Sequence, residues 1–380
     1  MENKKKKVAI VFGGISVEHD VSIITAIQIY ENIDKDLFHP IALYIAKSGE
    51  WYTGEVLFDI DKHKDKSVLK KAKQIMITAS KTNKQNFLKK IDVVFPANHG
   101  TYGEDGSLQG LMEFNDIPYV GSGVTGSACG MDKIIMKYLF IGAGLSVLDF
   151  TWFFKKEWIE NKENVINTIE TKLTYPMVVK PACSGSSIGV SFVQNKDDLE
   201  YAINIASKYG NRILVEKGIK NPVEVNCSCL GHQQKLELSA LEEPIRWEEL
   251  LSYENKYLQN GKSQGMKGMK RKIPPDIDDE LIEEIKSITL KAFKIMDLSG
   301  LVRIDYLLAT DRKKVYINEV NTIPGSFAFY LWEPIGLQFR SLITRLIEIA
   351  INVHKDKKKT EFVFNSDILK GVAIRGKAGK

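Results

Sequence analysis

Residues 301–325 read Leu-Val-Arg-Ile-Asp-Tyr-Leu-Leu-Ala-Thr-Asp-Arg-Lys-Lys-Val-Tyr-Ile-Asn-Glu-Val-Asn-Thr-Ile-Pro-Gly, and they constrain the fold more than any other stretch. Two runs rich in β-branched and aromatic residues flank a charged turn at 310–314, which predicts a β-hairpin. Side chains alternate faces along a strand, so Arg303 shares a face with Asp305, and Glu319 with Asn321. A five-residue turn sets Asp305 opposite Glu319 and Arg303 opposite Asn321. Like charges directly opposite each other destabilise a sheet. Two facing carboxylates therefore call for a cation between them. Hard oxygen donors in this grouping suit Mg²⁺, which takes one or two carboxylates and fills its shell with water and substrate phosphates. The plain alternative is an exposed hairpin with scattered charges. The abrupt turn at 321–325 weighs against it, because it opens a loop instead of fraying a strand.

At 380 residues, and about 150 per domain, two or three domains are expected. The apolar share of 44% is ordinary and supplies ample core. A net charge of +5 is modest and dispersed, so no nucleic-acid partner is expected. The basic run 4–7 is followed by an apolar segment too short and too polar for a signal peptide or a membrane span. Cys129, Cys183, Cys227 and Cys229 show no disulfide framework and no Cys-x-x-C metal spacing. A reduced, cytoplasmic protein with no membrane partner is the expectation.

In chain order, residues 8–12 form a short buried strand, followed by Gly13-Gly14 and a helical pattern over 21–32. This points to a doubly wound α/β unit without the dinucleotide fingerprint. Glu18 sits where an acidic side chain favours a helix dipole, and capping is its ordinary role. Further strands are predicted at 41–45 and 91–95, with a lysine-rich region at 62–90. His99 lies in the loop after the second of these, where open α/β sheets bind ligands. Residues 121–130 read as small and flexible, with a helix opening at Met131. A strand over 175–181 ends in Lys180 and runs into Ala-Cys-Ser-Gly-Ser-Ser-Ile-Gly, a Gly/Ser turn whose backbone N–H groups make an anion cradle. A helix (196–209) and strands at 212–216 and 223–230 follow. Residues 242–275 form a long irregular segment suited to a lid. Helices are expected at 278–296 and 338–353, and a loosely held basic tail over 354–380.

These pieces, in this order, resemble the D-alanine–D-alanine ligase family of the ATP-grasp superfamily over about residues 6–353. The motifs are Phe-Gly-Gly-Ile-Ser-Val-Glu-His-Asp-Val-Ser (12–22), His-Gly-x-x-Gly-Glu-Asp-Gly (99–106), Met-Asp-Lys (131–133), Val-Lys-Pro-x-x-x-Gly-Ser-Ser-x-Gly (179–189), Tyr-Glu-x-Lys-Tyr (253–257) and Asn-Glu-Val-Asn-Thr-x-Pro-Gly (318–325). The resemblance implies an α/β (α+β in the ATP-grasp part) chain of three domains. These are an N-terminal doubly wound parallel α/β domain (1–125), a central ATP-grasp subdomain (126–211) and a C-terminal ATP-grasp domain (212–353) with its lid at about 242–275. It also implies ATP with Mg²⁺, two ions by expectation and Mn²⁺ as a substitute, and a possible homodimer.

By matching position, Lys133 and Lys180 bind the ATP phosphates under the loop bearing Ser186 and Ser187. Glu216, Lys217 and Ile219 line the adenine pocket, Glu224 holds the ribose, and Lys256 and Asn318 complete the nucleotide site. Asp305, Glu319 and Asn321 carry the metal. Glu18 holds the first amino acid's ammonium, in a network with Ser186 and Tyr257, and His99 faces substrate. Arg303 and the Gly325 N–H hold the oxyanion formed when the second amine attacks an acyl phosphate. The implied product is D-alanyl-D-alanine, a precursor of peptidoglycan.

The chain departs from the family after Pro324-Gly325. Ser-Phe-Ala-Phe-Tyr-Leu-Trp (326–332) replaces small hydroxyl residues, with Tyr330 at the place of a serine that holds the second substrate. An aromatic wall against that substrate is the expectation. The basic lid segment with Lys267, Lys270, Arg271 and Lys272 is a second departure. D-alanine is the first choice of acceptor and D-serine or another amino acid the runner-up. A non-catalytic ATP-binding regulator is the alternative from a different class.

Overall fold

The computed structural model describes residues 4–65, 67–80, 82–245, 271–309, 311–366 and 368. The first layer comprises β1 (Lys6–Gly13), α1 (His19–Asn32), β2 (Phe38–Ile45), β3 (Trp51–Thr53), α2 (Ile60–Lys64), β4 (Lys73–Ile75), β5 (Val93–Pro96) and α3 (Ser107–Phe114). The sheet runs β4-β3-β2-β1-β5, with β1 parallel to both β2 and β5. Its far edge is antiparallel. The lysine-rich stretch thus adds an edge strand to a parallel core. Along β1, Val8, Ile10 and Phe12 face the core under α1, while Ala9 and Val11 face the core under α3. A strand covered on both faces reads as an unbroken apolar run, which is why 8–12 is legible as a strand. Gly13 ends it at φ +82, where a Cβ would strike the Ile45 carbonyl oxygen.

The chain then crosses through α4 (Val124–Met131) and α5 (Lys133–Gly142). Residues 121–130, read as a flexible stretch, are largely helix. Their small side chains serve close packing: a Cβ on Gly126 would lie 3.0 Å from the Asp297 carbonyl, and one on Gly130 would lie 2.9 Å from the Thr322 methyl. The central layer contains β6 (Phe150–Phe154), α6 (Lys155–Glu160), α7 (Lys162–Lys172), β7 (Met177–Pro181), β8 (Ser191–Val193), α8 (Lys196–Ala206) and β9 (Arg212–Lys217). Its antiparallel sheet has the order β6-β9-β7-β8, so it extends to Lys217 and not to residue 211. Val179, Ile213 and Val215 pack beneath α7 and α8. Lys180 and Glu216 alternate to the opposite face.

The last layer is built from β10 (Val223–His232), β11 (Lys235–Pro244), β12 (Arg271–Lys272), α9 (Asp279–Ile295), β13 (Ser299–Leu308), β14 (Val315–Asn321) and α10 (Phe339–Lys357). The sheet order is β12-β11-β10-β13-β14, antiparallel throughout. Cys227, Cys229, Ile304, Tyr306, Ile317 and Val320 pack against α9 and α5 on its apolar face. All four cysteines are free thiols. The other face carries Asn226, Arg303, Asp305 and Glu319. Two sheets therefore turn their polar faces toward each other, and the cleft between them is the site. The closing helix α10 belongs to two layers, since Leu342, Ile343, Leu346 and Ile347 join one core with Val8, Ile10 and Phe12 of β1 and with Leu230 and Leu301 of the last sheet.

Candidate active site

The hairpin pairs Asp305 with Glu319 and Arg303 with Asn321, as strand alternation requires. The route to that register differs from the expected five-residue turn. Pairing next to the turn joins Leu308 with Val315 and Tyr306 with Ile317, one residue out of step. A β-bulge at Asn318 restores the register. A bulge re-aims a side chain. Here it turns Asn318 to the polar face beside Glu319, where its Oδ1 accepts from Lys180 Nζ at 3.3 Å across the cleft.

Asp305 is buried and held by Arg303 through two parallel bonds, Nε to Oδ1 at 2.6 Å and Nη2 to Oδ2 at 2.7 Å. Asn321 Nδ2 donates to Asp305 Oδ2 at 3.0 Å. Burial raises the Asp305 carboxyl above its usual range, Arg303 pulls it down, and Glu319 and Glu224 push it up again. Arg303 in turn is driven down by burial but carried well above its ordinary value by Asp305. Among the described residues no group of three or more His, Cys, Asp or Glu side chains forms a metal cluster. Two carboxylates and an amide nevertheless fit Mg²⁺, whose remaining ligands come from phosphate and water. The mutual push of Asp305, Glu319 and Glu224 is the feature such an ion relieves.

Across the cleft, Glu216 accepts from Lys180 at 2.5 Å and pairs with Lys137 at 2.8 Å. Burial pushes Glu216 up, but the two ammonium groups outweigh it and hold the carboxyl at about 2. Lys137, on the inner face of α5, is fully buried. It was not singled out from sequence, because a lysine within a helix reads as solvated. Charges in a dry space cost several kcal/mol each unless paired; here one carboxylate is shared by two lysines, and burial pulls Lys137 down from its ordinary value against the pull of Glu216. Asp132 caps α5 by accepting from the Ile134 and Ile135 N–H groups. The next residue, Lys133, donates to the Ser184 carbonyl at 2.7 Å and lies 3.6 Å from Glu319 Oε2. It thereby links the Gly/Ser loop to the hairpin. Within that loop Ser186 and Ser187 are left-handed, at φ 49 and 59.

Glu18 begins α1 but makes no side-chain cap. Its carboxylate instead accepts from Ser186 Oγ, and a Cβ on Gly185 would collide with it. The capping role is thus set aside in favour of a contact between two layers. His99 is buried, with Nε2 2.8 Å from Thr25 Oγ1, and burial holds its imidazole down at about 4 although the Ile323 backbone beside it pulls the other way. Glu104, which sequence reading passed over, lines the cleft with Lys133, Ser186, Glu319 and Asn321. Lys217 is exposed at the end of β9, and Ile219 and Glu224 are half-buried beyond it. Lys256 and Tyr257 lie outside the described residues, as do Lys267 and Lys270.

The expected aromatic wall is not a wall. Phe327, Leu331 and Trp332 are buried in the core shared with the first sheet. Phe327 meets Phe95 edge-on, Phe329 stacks on Phe339, and Trp332 Nε1 donates to Ser228 Oγ at 3.2 Å. Ser326, Phe327 and Ala328 all sit at positive φ (52, 52 and 45), and this left-handed turn rolls the segment inward from Gly325. Tyr330 keeps contact with the site. It is 6% exposed, accepts from Arg303 Nη1 at 3.3 Å, and lies under the Arg271 guanidinium at 3.8 Å. Glu242 steadies Arg271 at 3.0 Å.

Known proteins match this chain over most of its length. The D-ala D-ala ligase N-terminus family matches residues 7–122 and the D-ala D-ala ligase C-terminus family matches 139–348. A D-alanine–D-alanine ligase of Thermosipho melanesiensis is 42% identical over 92% of this chain and 95% of its own length. Another, of Acetivibrio thermocellus, is 39% identical over 93% and 98%. Among solved structures, the ligase of Coxiella burnetii superposes with a TM-score of 0.79 at 28% identity, over 94% of this chain and 97% of its own. The VanG D-Ala:D-Ser ligase of Enterococcus faecalis gives 0.77 at 32%, over 91% and 100%. The fold is that of the ATP-grasp ligases. Within them, the chain belongs to the D-alanine–D-alanine ligase family.

Proposed function

We propose that the protein joins two D-alanine molecules at the expense of ATP, through an acyl phosphate, to supply D-alanyl-D-alanine for peptidoglycan precursors. The observation that carries this reading is the opposition of Lys133, Lys180 and the Ser186–Ser187 loop to Asp305, Glu319 and Asn321 across one cleft. Cations and N–H groups on one wall, with carboxylates on the other, suit a nucleotide triphosphate that arrives with its metal. A solved relative from Bacillus anthracis, 25% identical, is described as complexed with ATP.

In this reading Asp305, Glu319 and Asn321 hold Mg²⁺, which neutralises charge on the phosphates when bound. Phosphoryl transfer needs mainly positioning and electrostatics from protein. Lys133 and Lys180 hold the phosphates, and Glu18 with Ser186 holds the donor's ammonium. The donor carboxylate attacks the γ-phosphorus and ADP leaves. The second amine, in its neutral form, then attacks the acyl carbon, the C–N bond forms, inorganic phosphate departs with the electron pair of the C–O bond, and the proton released by the nitrogen ends on that phosphate. Arg303 and the Gly325 N–H receive the oxyanion between those two events. An oxyanion donor is worth about 3–4 kcal/mol of barrier. No helix among the described residues is long and apolar enough to cross a membrane, and action in the cytoplasm, where ATP is available, belongs to the proposal.

Phosphate release from ATP and Mg²⁺ tests it, with D-alanine alone and then with a panel of D- and L-amino acids. Release with D-alanine alone, matched by D-alanyl-D-alanine, is the expected result. Release only after a different second amino acid is added would replace D-alanine as acceptor. No release with any of them would leave a nucleotide-binding protein without turnover.

A further inference from the structure

One loop of the first layer brackets one residue of the last. Glu104 uses both carboxyl oxygens: Oε2 accepts from the Gly100 N–H at 2.8 Å and Oε1 from the Ile323 N–H at 3.0 Å. His99, from the same loop, lies close enough to the Ile323 backbone to feel its polarity, and is pinned from behind by Thr25. Ile323 is thus held by a side chain more than two hundred residues away in sequence.

The loop that does the holding is stiff. Gly100 adopts φ +75, and a Cβ there would come within 2.6 Å of Ser16 Oγ and 2.7 Å of Glu18 Oε2. A Cβ on Gly103 would approach the Asn98 backbone oxygen to 2.5 Å. Gln109 Nε2 donates to the Gly103 carbonyl at 2.9 Å, and the Tyr102 N–H to Asp105 Oδ2 at 2.9 Å. Glu104 therefore stands on a platform with little freedom, between the donor-side residue Glu18 and the loop that ends in Gly325. Burial, with Glu18 close by, pushes the Glu104 carboxyl up to about 8.

Gly325 is two residues past Ile323, and rigid backbone over two residues transmits position. We propose that Glu104, supported by His99, is a positioning residue for the second chemical step. By fixing Ile323 it sets the distance of the Gly325 N–H from the acyl carbon. The inference rests on the ligase reading above. It places no demand on Glu104 to touch substrate, and it predicts that donor activation survives when acyl transfer fails. A misplacement near 1 Å costs about 10²-fold in rate.

The test uses the full chain with Glu104→Ala and Glu104→Gln. Two quantities are read: net peptide formation, and positional isotope exchange within unreacted ATP in the presence of D-alanine, which reports reversible acyl-phosphate formation. Turnover is expected to fall about 10²-fold in Glu104→Ala and less in Glu104→Gln, which retains one acceptor oxygen. KM for ATP should stay within about twofold, and the ratio of exchange to turnover should rise in both variants. A merely structural role would lower exchange and turnover together, and that outcome overturns the inference, as does unchanged turnover in Glu104→Ala. Wild-type chain with neither exchange nor product would overturn the ligase reading itself, and the positioning role with it.

Discussion

The polar face of the hairpin and the aromatic run that follows it are neighbours in sequence and opposites in structure. Residues 303–321 put Arg303, Asp305, Glu319 and Asn321 into the cleft, whereas 326–332 turn inward and put Phe327, Phe329, Leu331 and Trp332 into a core. Both stretches look functional when read along the chain. The difference lies in what each side chain costs to bury. Two facing carboxylates stay ionised in a dry place only with a cation beside them, so their opposition marks a place where charge is handled. Aromatic rings gain from burial wherever a cavity exists. Charge thus locates a site more reliably than bulk does.

Substitutions on the two sides should separate function from stability. Glu319→Ala is expected to lower turnover the most, by about 10²–10³-fold, since a metal ligand supports several kcal/mol of charge stabilisation at about 1.4 kcal/mol per decade. Its thermal unfolding should stay close to wild type. Turnover near wild type in Mg²⁺ would remove Glu319 from the metal set. Trp332→Ala is expected to behave oppositely, losing about 3–5 kcal/mol of stability while each folded molecule keeps its kcat. A loss of kcat at full stability would restore the wall.

Tyr330 stands on the border and should show a smaller, mixed effect. Tyr330→Phe removes only the hydroxyl that accepts from Arg303, a bond of about 1 kcal/mol. It should raise KM for the second amino acid several-fold and leave KM for ATP unchanged. Tyr330→Ser should alter the choice of acceptor more than the use of ATP. If ATP use alone responds, Tyr330 belongs with the nucleotide instead. A separate effect concerns pH. The folded chain keeps the Glu104 proton up to about 8, whereas an unfolded glutamate releases it near 4.5. Stability of the nucleotide-free protein should therefore decline as pH rises through that window. Urea midpoints from pH 5 to 8 should show this slope for wild type and a flatter one for Glu104→Gln.

Much of the site was legible because strand alternation is a local rule. Asp305, Glu319, Arg303 and Asn321 needed only period two and an approximate turn. The bulge at Asn318 was not legible, since an extra residue in one strand leaves no compositional mark. Glu104 and Lys137 were missed for another reason. Their partners, Ile323 and Glu216, lie far along the chain, and each looks like an ordinary surface charge until the layers come together. The inward roll of 326–332 was hidden likewise, because three successive non-glycine residues at positive φ run against local preference and are imposed by the packing around them. The parallel core of the first sheet was plain from its apolar runs, while its antiparallel edge, β3 with β4 from the lysine-rich stretch, was not.

The placement of α10 bears on how the chain is made. Its residues Leu342, Ile343, Leu346 and Ile347 complete the core over β1, yet they are synthesised roughly 225 residues after the first layer's last helix, a delay of some 10–45 s at ribosomal rates of about 5–20 residues per second. During that interval the core between β1 and α1 lacks the side chains that α10 adds to it. A nascent chain halted before residue 339 should expose it to hydrophobic dyes and to trigger-type chaperones, and one extended past 357 should not. Among the described residues α10 is the last helix, and by packing on β1 it acts as a latch between the layer made first and the layer made last.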